Sequence, residues 1–293
     1  MGERGTRAGT GANAWSRFWN RGSWWKALLA AVAYLALFLG GSRLVGLLWG
    51  ADVAPNPFAD ARSVVVALLL PLLIGAVVLL AFVASLRWFP ALFGPQPIRG
   101  RGWMWIAVVV TLVPIALRLF GTDYGAYAAG VVPLTFVVGL LVGLTEELLT
   151  RGIVVKLLRD AGHGEIAVAV VSSALFGLLH ASNALGGQSP VLVLTTVLFA
   201  FGFGLMMYLV LRVTGSLIWP ILIHALTDPT TFLATGGIDV AGTGQESVLN
   251  QLAGPFNIVF VVFAVIAICC IRGRVGAPGA ATAPRYDGMH AAE

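Results

Sequence analysis

The sequence is short of charge. Of its 293 residues 18 are basic and 13 acidic, 11% in all, against about 25% in ordinary soluble domains. It has two cysteines, Cys269 and Cys270, adjacent inside an apolar run. Adjacent cysteines rarely pair, so no disulfide framework is expected and the thiols read as lipid-facing filler. What replaces charge is apolar: 58% of the chain is hydrophobic and mean hydropathy is +0.91. A soluble domain of this length cannot hide that much apolar surface, and disordered chains are poor in such residues. The apolar runs are continuous and do not alternate, which excludes a β-barrel. The net charge of +5 resides in short loops and tails, as membrane topology demands, and gives no argument for nucleic acid.

The chain therefore reads as all-α, a polytopic transmembrane helical bundle of about eight spans in a lipid bilayer. The runs are Trp24–Leu48, Ser63–Phe89, Trp103–Phe120, Ala126–Leu149, Glu165–His180, Pro190–Leu211, Ser216–Thr227 and Leu249–Ile271. The seventh is short, and Asp228 to Ser247 reads as a polar loop with several glycines. Lys and Arg set the orientation. With the N-terminus inside, 15 fall on inner segments, and only Arg43, Arg62 and Arg118 fall outside. This asymmetry places both termini in the cytoplasm and supports an even number of spans. The first residues lack a signal-peptide pattern. Residues 1–22 and 273–293 read as disordered cytoplasmic tails, 23–125 as N-terminal spans, and 231–272 as the polar loop and last span.

A charge near the bilayer centre costs about 2.5–3.5 kcal/mol even on lenient scales. The ionisable residues inside or ending apolar runs are Glu146, Glu147, Arg151, His180, His224 and Asp228, all in the second half. In the first three spans only Arg43 and Arg118 compare, and near span ends they can snorkel. Glu147 and Arg151, four apart, share a helix face and can form an ion pair. Glu146 points about 100° away and has no partner in its own helix. His180 ends the fifth span, with Phe176 one turn earlier on the same face. Asp228 lies one turn after His224 and can fix its tautomer. Because Pro229 follows, Asp228 can equally be an N-cap.

Glu146 and His180 each lie 17 residues from His163, about 25 Å along a helix. In an antiparallel hairpin they reach the same height. His224 meets them if the charged, amphipathic stretch Arg151 to Glu165 continues as a helix past the membrane surface. Carboxylates and imidazoles gathered in a membrane cavity suit water activation. In one version Glu146, His180 and His224 bind Zn²⁺, which acidifies a water. In the other there is no metal, Glu146 and His180 polarise the water, and His224 with Asp228 donates to the developing oxyanion. The sequence leaves both open. His-Glu-x-x-His, Gly-x-Ser-x-Gly, Gly-x-Ser-Gly and Gly-x-Gly-Asp are all absent. Gly139 and Gly143 form a small-residue step read as packing within one protomer.

Glu146-Glu147-x-x-x-Arg151, Phe176-x-x-x-His180 and His224-x-x-x-Asp228, in that order, resemble the CPBP family of intramembrane proteases. This group, also called Abi, includes the eukaryotic CAAX prenyl endopeptidases. The glycine-containing run Phe199-Ala-Phe-Gly-Phe-Gly204 looks like the family helix between the two histidine motifs. The resemblance covers about Gly139 to Thr230 and implies a catalytic core at 126–230. It implies that Glu146 activates water, with His180 its partner and His224 with Asp228 the second half of the site. Glu147 pairs with Arg151 to lock the helix. The family is called metalloprotease by tradition, while its prenyl-processing members resemble a glutamate-dependent enzyme. Asp228 stands where the pattern takes Asn or Asp. The implied partners are the bilayer and a peptide or protein substrate at the membrane, processed by maturation, in bacteriocin self-immunity or as a small membrane peptide. Abundant Ala, Gly, Val and Arg suggest a GC-rich bacterial source, hence a multi-pass protein of the plasma membrane. Two rivals from other classes are a proton-coupled transporter with the same residues as a relay, and a non-catalytic membrane adaptor. Replacing Glu146 by Gln separates the three.

Overall fold

The computed structural model describes residues 13–238 and 247–276; the remainder of both expected tails lies outside the described residues. Among the described residues the chain is helical and has no strand. Seven helices are long and apolar enough to cross a membrane: α1 Trp24–Trp49, α2 Ala61–Ser85, α3 Gly102–Gly121, α4 Val131–Asp160, α5 Glu165–Gly186, α6 Pro190–Thr214 and, last, α8 Val248–Cys270. Between the last two runs α7, Ile218–Thr235, reaches 18 residues but falls short in apolarity, because it carries His224 and Asp228. The structure is a multi-pass helical bundle.

Local chemistry sets the helix ends. Asp60 caps α2 by accepting from the Ser63 amide at 2.8 Å, and Ser189 caps α6 ahead of Pro190. Gly215 and Gly236 stop α6 and α7 in the left-handed region, at φ 71° and 75°. The short seventh run needs a correction. Asp228 does not cap a new turn, because α7 continues through Pro229 to Thr235. Pro229 gives up the hydrogen bond to the Ala225 carbonyl, and that oxygen faces Gly139, where a Cβ would stand 2.5 Å away. A Cβ on Gly143 would lie 2.5 Å from the Ile221 carbonyl. The two glycines thus seat α4 against α7 inside one chain.

The fourth run ends eleven residues later than Leu149, as one helix to Asp160, with a π-helical stretch at Leu148–Val154. Its continuation is not an amphipathic arm in water: Leu148–Val155, Leu157 and Leu158 are all buried. Helix α6 is the central mast, buried without a break from Gly202 to Arg212, between α5 and α8. Helix α3 packs on α6, α7 and the start of α8. The expected tails are partly built into the fold. Ala14–Asn20 is a helix with Trp19 buried, and the Gly273 carbonyl accepts from the Glu165 amide at 2.9 Å.

At the Lys/Arg-rich end a buried charge cluster joins several segments. Arg159 donates to both oxygens of Glu165 at 2.9 and 2.8 Å and to Gln96 at 2.7 Å. Arg212 donates to Glu165 at 2.9 Å and to the Arg99 carbonyl at 3.2 Å, and the Tyr208 hydroxyl also donates to Glu165.

Candidate functional site

The site forms where α4, α5 and α7 meet, at the wall of a cavity of about 910 Å³. Helix α4 brings two adjacent glutamates to different places, as its period requires. Glu147 is fully buried, and its Oε1 accepts from Arg151 Nη1 at 3.1 Å and from His224 Nδ1 at 2.8 Å. Glu146 faces the cavity with its side chain 25% exposed, and its Oε2 lies 3.8 Å from His224 Nε2. One turn along α7, Asp228 Oδ1 lies 3.6 Å from the same nitrogen. His224 is therefore ringed by three carboxylates. Its Nδ1 carries the proton it shares with Glu147, so Nε2 is the nitrogen turned toward Glu146 and Asp228.

His180 ends the α-helical part of α5 and lines the same cavity. Its Nδ1 lies 3.0 Å from the Phe176 carbonyl. Only an N–H can sit there, so Nε2 of the neutral ring is a free acceptor. Phe176 is buried and central. Its ring meets His180 edge-on at 5.1 Å and His224 at 5.7 Å, and it lies under the Arg151 guanidinium at 4.5 Å. Arg151 keeps Nε and Nη2 without partners, and this stacking is what holds that face. Gly204 gives it room, since a Cβ there would come 2.8 Å from Arg151 Nη2 and 3.0 Å from Phe176.

All seven residues singled out from the sequence are thus brought into one neighbourhood: Glu146, Glu147, Arg151, Phe176, His180, His224 and Asp228. The spacing about His163 brings Glu146 and His180 to one cavity. The sequence reading missed two residues. Phe203 stands edge-on to His224 at 4.9 Å, within the Phe/Gly run of α6. Arg118 of α3 does not snorkel; it is buried and lines the cavity with Asp228. Its signal was present, as a lone arginine in an otherwise apolar run, but nothing in its own helix pointed to a partner. No group of three or more His, Cys, Asp or Glu side chains among the described residues is arranged to hold a metal ion.

The arrangement has the parts of a hydrolytic site: a carboxylate at a cavity wall, an imidazole acceptor lining the same cavity, and a second imidazole locked by a buried carboxylate. Both π-helical stretches among the described residues, Leu148–Val154 and Val65–Leu69, border this region, and such stretches often mark functional sites. Residues 128–230 match the family model described as type II CAAX prenyl endopeptidase Rce1-like. No curated protein and no solved structure matches the chain significantly.

Proposed function

We propose, from the match of residues 128–230 to the Rce1-like CAAX prenyl endopeptidase family model, that the chain hydrolyses peptide bonds of membrane-associated peptides with a water activated by Glu146 and His180. The observation that carries this reading is that Glu146, His180 and Asp228 line one cavity, with His224 buried against Glu146 and Asp228 at 3.8 and 3.6 Å.

Glu146 takes a proton from the water while His180 Nε2 accepts a hydrogen bond from the O–H that remains. The water oxygen bonds to the peptide carbonyl carbon, and the carbonyl oxygen becomes an oxyanion. Protonated His224 donates to that oxyanion from Nε2, while Glu147 holds Nδ1 and Asp228 steadies the cation. The intermediate collapses, the C–N bond breaks, and Glu146 returns its proton to the leaving amine. Glu147, Arg151 and Phe176 position these groups without touching substrate. No step passes through a metal, and the metal content of purified protein, wild type against His180→Ala, tests that choice. The proposed setting is a bacterial plasma membrane, where peptides partition to the bilayer.

Glu146→Gln in purified protein is the test. The enzyme reading requires loss of cleavage with folding kept. Lost ion-coupled flux instead marks a transporter, and loss of neither marks an adaptor.

A further inference from the structure

Four arginines are buried among the described residues: Arg118, Arg151, Arg159 and Arg212. Three have an acid in salt-bridge contact, Arg151 with Glu147 and both Arg159 and Arg212 with Glu165. Arg118 is 7% exposed and lines the cavity, yet its guanidinium makes no hydrogen bond or salt bridge among the described residues. The carboxylate that acts on it electrostatically is Asp228, and the two are not in contact. Unlike Arg151 Nε and Nη2, its nitrogens are not sealed from the cavity, and a cation held without an acceptor in so apolar a hollow is still costly to keep. The cost has a use if the acceptor arrives with a ligand.

We infer that Arg118 is a substrate-anchoring residue that binds a carboxylate of the peptide, either its C-terminal carboxylate or an acidic side chain. The guanidinium presents a planar fork that matches a carboxylate in two parallel hydrogen bonds, and a neutral amide cannot take both as an acceptor. The cavity walls beside it are mostly apolar, with Leu68, Leu72, Val138 and Phe232 among them, so a carboxylate arriving there loses water and gains the most from the pairing. Asp228 borders both ends of the arrangement, 3.6 Å from His224 and within electrostatic reach of Arg118. It keeps the empty site from being a bare cation, and its place between His224 and Arg118 puts the group that Arg118 anchors close to the bond that the Glu146-activated water attacks. This inference rests on the endopeptidase reading for its substrate class.

The experiment uses full-length protein in lipid nanodiscs and three matched quenched-fluorescent apolar peptides. One ends in a free carboxylate, one in a carboxamide, and one has an amidated end with a single internal Glu. Wild type cleaves one or both carboxylate-bearing peptides with the higher kcat/KM, and which one identifies the source. Arg118→Gln raises KM for that peptide by about 30-fold, the loss typical of truncating a buried charge pair, and narrows the acid-to-amide ratio toward one. Arg118→Lys restores part of it. Equal use of acid and amide by wild type, or an unchanged ratio in Arg118→Gln, overturns the inference. Anisotropy binding of the same peptides to Glu146→Gln protein separates the two readings. A carboxylate preference in binding that Arg118→Gln abolishes, with no cleavage by wild type, sinks the endopeptidase reading and keeps the anchor. Equal binding of acid and amide sinks the anchor alone. Competition by phosphatidylglycerol vesicles that matches the carboxylate peptide marks Arg118 as a lipid headgroup contact and also overturns it.

Discussion

The two ends of the bundle bury charge in opposite ways. At the Lys/Arg-rich end, Glu165 has both oxygens occupied by Arg159, Arg212 and Tyr208, and Arg212 Nε is the cluster's one buried polar atom without a partner. At the cavity, Glu147 Oε2 and two nitrogens of Arg151 have no partner, and Glu146 and Asp228 approach His224 only to 3.8 and 3.6 Å. A completed network holds a fold together, because each buried group has replaced its lost water. An incomplete one around a hollow keeps hydrogen-bonding capacity for a reactant. The same residue types thus serve as structure at one end and as candidate chemistry at the other.

That contrast breaks if mutations at the two ends do the same thing. Glu146→Gln should lower kcat by about 10²–10⁴-fold with the melting temperature kept, measured by peptide cleavage beside thermal unfolding in detergent. Glu165→Ala should do the reverse. It leaves Arg159 and Arg212 buried without their acid, costing about 3–5 kcal/mol, while activity per folded molecule persists. A variant that unfolds little would show the cluster to be dispensable. Gly143→Ala tests the seam between the two ends. Its Cβ would stand 2.5 Å from the Ile221 carbonyl and 2.8 Å from the Ala225 nitrogen, so α7 must shift. We expect a loss of about 1–3 kcal/mol and lower activity, because His224 moves with α7; full activity would show that the site tolerates the shift.

The smallest effect concerns the α3–α4 connection. Burial raises the Tyr127 and Tyr124 phenols above the usual value, which is about 10. The unfolded chain ionises first, so their contribution is whole below about pH 10 and is lost as pH rises through the raised folded values. Tyr127→Phe also removes the hydroxyl bond to the Leu233 carbonyl, worth about 1 kcal/mol, and should flatten the alkaline fall in melting temperature. An equally steep fall in the variant would assign it to other groups.

Much of this was legible in the sequence because membranes make charge conspicuous. Seven of the eight apolar runs became long apolar helices, and the equal spacing of Glu146 and His180 about His163 foresaw their shared cavity. The misreadings have local causes. Asp228-Pro229 carries the sign of a helix start, and only the bare Cα of Gly139, on another helix, lets the unpaired Ala225 carbonyl sit mid-helix. Arg151 to Glu165 looked amphipathic because its charges were counted without their partners; Arg159 and Glu165 face each other in the interior. Arg118 looked able to reach the interface because its burial is imposed by α6, α7 and α8, none of which its own helix announces.

The Glu165 cluster also decides where the molecule can part. Through Gln96 and the Arg99 carbonyl it stitches in the stretch before α3, and through the Gly273 carbonyl it holds the chain as it leaves α8. The bundle is a purse sewn at its base. A guest that entered at this end would have to break those stitches, whereas the rim and the sides carry none of them.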